Sequence, residues 1–176
     1  MDTPKDPIEI TTHIGLLTHL PGMHYMFIPA HVIQHFGSGF KKRLLATVNN
    51  TIQWQCGLMS LGEGNAYISI SKDKMKKAGL ENGSTIHLKL EIDDSKYGLP
   101  VPEEFNIVIE QDPEAALRFE MLSAGMQRYI LTYVGAVKNP DKRIERAILL
   151  MRNLVQQQEG QESFREMLGL PRHREL

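Results

Sequence analysis

Cysteine occurs once in the 176 residues, at Cys56. No disulfide can form within the chain, and a single thiol fits a reducing compartment. Long apolar runs are missing too. No segment approaches the roughly 18 apolar residues that a membrane span needs. The opening MDTPKDPIEITT has neither a basic stretch nor an apolar one, so no secretory leader is read there and a cytoplasmic protein with no membrane contact is expected. Charge of one sign is also lacking. Lys and Arg number 20 against 21 Asp and Glu, for a net charge of −1. The balance is local as well as global: residues 1–97 carry ten basic against nine acidic residues, and residues 98–176 ten against twelve. A general nucleic-acid binder shows a basic surplus that neutralises phosphates, so nucleic acid is not the expected partner. Glycine-rich phosphate loops, nucleophile elbows and paired catalytic carboxylates are absent. GEGNA lacks both a lysine and a following helix, and no cofactor or enzymatic reaction is expected.

What is present is enough apolar content, 41%, to bury a core without staples. The stretch ISISKDKMKKAGLENGSTIHLKLEID, residues 68–93, reads as strand, short helix, glycine-marked turn and strand. Ile68 and Ile70 alternate with Ser69 and Ser71. Gly79 closes the helix where a left-handed residue is needed, and Asn82-Gly83 supplies a turn. Ile86, Leu88, Leu90 and Ile92 then point one way and His87, Lys89 and Glu91 the other. Shifted back by 42 residues, MFIPAHVIQHFG, residues 26–37, falls on the same template. Ile28 matches Ile70, Ile33 matches Met75 and Gly37 matches Gly79, while Leu44, Ala46 and Val48 fall on Ile86, Leu88 and Leu90. Such a degenerate repeat can pair about a pseudo-twofold axis and close a barrel within one chain, so a monomer is expected. Between the copies, NNTIQWQCGLMSLGEGNAYISIS reads as strand, turn and strand, and IEITTHIGLLTHL upstream as a further strand or pair of strands ending at Pro21-Gly22. Trp54 and Cys56 are read as packing residues. His31 and His35, four apart, have metal-ligand spacing, but no acid or cysteine accompanies them, and no metal site is assigned.

From residue 98 the punctuation changes. GLPVPEEF reads as a proline-bearing connector, after which the period becomes helical. Asp112-Pro113-Glu114 is a helix start with a capping residue and proline in the first turn; Ala115, Ala116, Phe119 and Leu122 form its stripe. Ser123 can cap a helix carrying Met126, Ile130, Tyr133 and Val134. Asn139-Pro140-Asp141 starts another, whose face holds Ile144, Ala147, Ile148, Met151, Leu154 and Val155. A short helix and a frayed tail end the chain. The fold class is therefore α+β: residues 1–97 form a double-split β-barrel with an internal repeat, and residues 98–176 a small helical bundle. From Lys138 to Arg152 five basic residues face two acids. Arg143 and Arg146, one turn apart, can present two planar forks to a phosphate or carboxylate, or serve as a solvated helix face.

These residues carry a resemblance. PVPEEF, DPEAALRFEMLS and QRYILTYVGAVKNPDKRIERAILLMRNL are similar to the helical domain of the bacteriocin-protection YdeI/OmpD-associated proteins. The hallmark is a basic segment, here Lys138, Pro140, Asp141, Arg143 and Arg146. Lys142 stands where that family usually has Thr, and Tyr133 where it usually has Trp. The barrel resembles the domain of unknown function that often accompanies it, distantly related in shape to the AbrB and MazE swapped-hairpin folds. The resemblance spans roughly residues 8 to 155. It implies a link to bacteriocin protection or envelope stress and no established reaction. The expected function is a non-enzymatic module that binds an anionic small molecule or peptide through Lys138, Arg143 and Arg146. An AbrB-like DNA-binding regulator is the competing reading, although only one of the two repeated helices is basic.

Overall fold

The computed structural model describes residues 6–172 apart from positions 21 and 38. Pro21 of the expected turn, and the expected tail from position 173 on, lie outside the described residues. The chain divides into two compact units between Gly98 and Leu99.

The first unit contains β1 (Ile8–Leu16), β2 (His24–Ile28), α1 (Ala30–His35), β3 (Arg43–Val48), β4 (Ile52–Gly57), β5 (Met59–Gly62), β6 (Asn65–Ile70), α2 (Lys72–Lys77) and β7 (Thr85–Ile92). Its strands form one antiparallel sheet in the order β4-β3-β7-β1-β2-β6-β5. The outermost strands, β4 and β5, are separated in sequence only by Leu58. The sheet must therefore curl until its two edges meet end to end, as a barrel requires.

The strand registers carry the internal symmetry. β2 pairs with β6 so that Met26 faces Ile68, and β3 pairs with β7 so that Thr47 faces Lys89. Each facing pair is 42 residues apart, the spacing of the sequence repeat, so both ladders are centred on one local twofold. The equivalent Tyr25 and Tyr67 meet edge-on across it, with ring centroids 5.8 Å apart. β1 crosses between the two sides, pairing with β7 through Ile8–His13 and with β2 through Ile14–Leu16. Its symmetry mate is β4 continued into β5. Ile8 opposite Leu90 corresponds to Ile52 opposite Val48, and Gly15 opposite Tyr25 to Met59 opposite Tyr67.

The alternation expected for β7 is present: Ile86, Leu88 and Leu90 are buried, and they pack with Leu44, Ala46, Val48, Met26, Ile28, Ile68 and Ile70. Burying each large aliphatic side chain is worth about 1.5–3 kcal/mol. Val32, Ile33 and Met75 cover the core from α1 and α2. Gly37 and Gly79, with φ of 88° and 65°, follow the two short helices at matching positions. Trp54 is half-buried against the core, and Cys56 is buried.

The second unit contains α3 (Glu103–Gln111), α4 (Pro113–Met121), α5 (Ala124–Gly135), α6 (Pro140–Val155) and α7 (Phe164–Met167). Three expected caps are made: the side chains of Asp112, Ser123 and Asn139 accept hydrogen bonds from the backbone N–H groups of Ala115, Met126 and Lys142. Phe105, Phe119, Ile130, Leu131, Val134, Leu150, Met151 and Leu154 are buried. GLPVPEEF, expected as a connector, is helical from Glu103 on. Glu103, Glu104 and Phe105 belong to α3, with Pro102 at its N-cap and the Phe105 ring tilted against that of Phe119, centroids 4.8 Å apart. The face expected for α6 is also rotated: Leu150 is buried, whereas Ile148 is 43% exposed.

Candidate functional site

The basic segment opens α6, and its arginines point back onto the preceding helix. A helix leaves its last carbonyls without backbone partners and concentrates partial negative charge there, so cations are favoured at that end. Arg146 Nη1 donates to the Tyr133 carbonyl at 2.7 Å, in the last turn of α5. Its guanidinium lies over the Tyr133 ring, 4.3 Å from the centroid, a cation–π stack that fixes the plane of the fork. Arg143 Nε donates to the Val137 carbonyl at 2.7 Å, and its Nη1 lies 3.4 Å from Glu104 Oε1. The two arginines thus cap the end of α5 and tie α6 to α3.

Lys138, one residue beyond Val137, is exposed and has no hydrogen-bond or ion-pair partner among the described residues. Lys142 pairs with Glu145 at 2.7 Å on a well-exposed face, a contact worth only tenths of a kcal/mol. The three named cations therefore differ in state. Lys138 is uncommitted. Arg146 has spent one N–H group on a carbonyl and has no carboxylate partner among the described residues. Arg143 is partly neutralised by Glu104. Sequence reasoning did not find Glu104, the two carbonyls or Phe164, whose ring lies 5.4 Å from that of Tyr133. Backbone acceptors leave no residue-type signal, and Glu104 fell in the supposed connector.

Elsewhere the candidate groups are occupied in other ways. Burial pushes the Cys56 thiol up to about 12, with the nearby Arg43 charge opposing more weakly, so it stays protonated at neutral pH and is a poor nucleophile. His31 is exposed, whereas His35 Nε2 is 2.9 Å from the Asp6 carbonyl and its ring packs edge-on against Phe36. Among the described residues no three His, Cys, Asp or Glu side chains converge on a metal-sized site, and no helix is long and apolar enough to cross a membrane. Arg43 donates from Nε and Nη2 to the Gly98 carbonyl at 3.0 and 2.9 Å, fastening the segment after β7 to β3. Asp93 lies nearby. Burial raises its carboxyl, but hydrogen bonds from Ser95 and Gln55, together with the Arg43 charge, outweigh burial and hold it below the usual range.

Fold and site define a two-unit protein in which a barrel with an internal twofold precedes a bundle capped by its own arginines. Residues 16–90 match the family described as a domain of unknown function, DUF1905. Residues 99–156 match the bacteriocin-protection, YdeI or OmpD-associated family. The chain thus matches these two families in this order, as the sequence resemblance implied, and the link to bacteriocin protection stands at the level of the matched family. No curated protein matches the chain.

Proposed function

We propose that the helical unit is a non-enzymatic binding module, serving bacteriocin protection, that takes the carboxylate or phosphate of a small molecule or peptide on Lys138, Arg143 and Arg146. The observation that carries this reading is the fixing of Arg146. Stacked on Tyr133 and held by the Tyr133 carbonyl, it offers a planar fork whose orientation is set before any ligand arrives, which lowers the entropy lost on binding. Lys138 adds an uncommitted charge one residue from the anchor of Arg143. Arg143 is the weakest of the three contacts, since Glu104 partly offsets its charge.

The test is an anion-dependent rise in melting temperature of the full chain, with inorganic phosphate and acetate as probes; a ligand of the folded state stabilises by mass action. Arg143 and Arg146 also cap α5, so replacing them lowers stability whatever they bind. Lys138→Gln is the clean variant because that side chain has no internal partner to lose. The expected result is a phosphate-dependent rise in the wild type, reduced in Lys138→Gln and abolished in Arg146→Gln, each measured against its own anion-free baseline. A wild type without any anion-dependent rise overturns the site. The competing DNA-binding reading needs basic groups repeated by the barrel's symmetry, but α1 is AHVIQH where α2 is KDKMKK. At most weak and steeply salt-dependent DNA binding is expected, and sequence-selective nanomolar binding at physiological salt would replace our reading with that one.

A further inference from the structure

The helical unit has a second concave feature, beside the two helices that the Arg143–Glu104 pair joins. That pair joins the first turns of α3 and α6, so the two helices run in the same direction, and a groove of about 480 Å³ opens between them. Its body is apolar, formed by Ile107 of α3 and by Ile144, Ile148 and Met151 of α6. Its far end is polar, where Gln111 and Asp112 meet Arg152 and Gln156. The lips are wet: Ile107 is 41% and Ile148 43% exposed, although both lie on faces where a bundle helix would ordinarily be covered.

The dimensions select the kind of occupant. Along α6 the lining runs from Ile144 to Gln156, about 18 Å at 1.5 Å per residue. A volume of about 480 Å³ is in the range of small-molecule sites, about 300–1,000 Å³. A single extended aliphatic chain of about ten carbons fits within that volume and can lie along the apolar floor. Charge then sets the orientation. Arg152 is exposed and has no hydrogen-bond or ion-pair partner among the described residues, while the carboxylate of Asp112 at the same end already accepts from Ala115 N–H at the start of α4. An unpaired guanidinium with two glutamine amides beside it, closing one end of an apolar channel, is complementary to an anionic head on an apolar tail.

We infer that the α3–α6 groove binds an amphipathic monocarboxylate, with its aliphatic chain along Ile107, Ile144 and Ile148 and its carboxylate on Arg152. This site is separate from Lys138 and Arg146 and does not depend on the reading given to them.

The experiment is calorimetric titration of the full chain with decanoate below its micelle concentration, with decanol and acetate as controls. The wild type is expected to bind decanoate saturably at one site, far more tightly than it binds acetate. Arg152→Gln should weaken decanoate about tenfold, the loss of roughly one charged contact, and leave decanol unchanged. Ile148→Glu should abolish binding of both. Because Ile148 is already 43% exposed, this variant is expected to keep the wild-type far-ultraviolet spectrum, and Arg152→Gln, on an exposed side chain, keeps the proposal testable if it does not. Lys138→Gln and Arg146→Gln should leave decanoate affinity as it is, which separates failure here from failure of the anion site. The inference is overturned by an absence of saturable decanoate binding, by equal affinity in the wild type and Arg152→Gln, or by loss in Lys138→Gln alone. A wild type that ignores decanoate yet binds an acidic amphipathic helical peptide in an Ile148-dependent way would also overturn it, assigning the groove to a protein partner.

Discussion

Replacing Arg118 by methionine removes the clamp that closes the helical unit while keeping most of its apolar stem. Arg118, on α4, is only 9% exposed. Its Nη1 donates to the Gln157 carbonyl at 3.0 Å and its Nη2 to Glu162 Oε1 at 3.1 Å, so one side chain holds both ends of the loop between α6 and α7. Breaking a buried ion pair by deleting one partner costs about 3–5 kcal/mol, because the other charge is left without compensation. Glu162 retains a hydrogen bond from Gly160 N–H at 3.0 Å and the pair keeps some access to water. The expected cost is therefore at the low end, about 3 kcal/mol, or roughly 12 °C or more in the melting of a unit this size. Two probes can be read together. Trp54, the only tryptophan, reports on the barrel, whereas the far-ultraviolet helical signal comes chiefly from the bundle. The helical transition should fall in Arg118→Met, and adding Glu162→Gln should recover part of the loss by removing the stranded charge. A change in the helical transition below about 0.5 kcal/mol, the range of ordinary surface substitutions, would refute the clamp.

Two further outcomes follow from local geometry. The Glu162 carboxyl is held below its ordinary value of 4.5 by its own backbone N–H, against burial, and then by Gly160 N–H and Arg118. With the folded value depressed, its contribution is fully present above 4.5 and lost as pH falls through the folded value; the helical transition should weaken on acidification below about 4.5 and do so less steeply in Glu162→Gln. At the end of the barrel, Gly98 has φ of +68° and a Cβ there would sit 2.4 Å from Arg43 Cγ, whereas a Cβ on Gly57 would meet mainly Nη1, at the far end of that side chain, at 2.6 Å. Gly98→Ala should therefore cost more than Gly57→Ala, by about 1 kcal/mol or more in the Trp54 transition, and an equal or reversed order would refute the packing of Arg43 on Gly98.

The barrel was legible because its core alternates. Ile86, Leu88 and Leu90 repeat the pattern of Leu44, Ala46 and Val48, and one spacing aligns both strands and both helix-closing glycines. Less visible was that β4 and β5 together repeat β1. Ile10 corresponds to Trp54 and Thr12 to Cys56, pairs that share a position in the fold but not a chemical type. Thr12 spends its hydroxyl on the Phe27 carbonyl at 2.6 Å, while Cys56 is simply buried. α3 was hidden by the prolines before it and by the β-branched run IVI, residues 107–109, preferences that the packing of Phe105 on Phe119 overrides. At the candidate site the residue types were readable, but their partners were not. Arg143 and Arg146 look like free forks until the end of α5 is placed beneath them, and only then does Lys138 stand out as the uncommitted charge.

The internal symmetry bears on where the barrel can act. In a barrel closed by two separate chains, both halves present identical surfaces, so a substitution that builds a contact on one half builds it on the other. Here the halves are covalently joined and free to differ. Their interior has stayed alike: Val32 and Ile33 of α1 and Met75 of α2 cover the same core. Their exteriors have separated. α1 begins under the side chain of Asn65, which accepts from Ala30 N–H at 3.1 Å; α2 is capped by its own Ser71 and lays Lys74 over Trp54 at 5.5 Å. Packing constrains the shared core, whereas surface positions can change at little cost in stability. A partner that reads a basic helix surface would therefore find it on α2 and not on α1, and the pseudo-twofold describes how the barrel closes without predicting paired contacts.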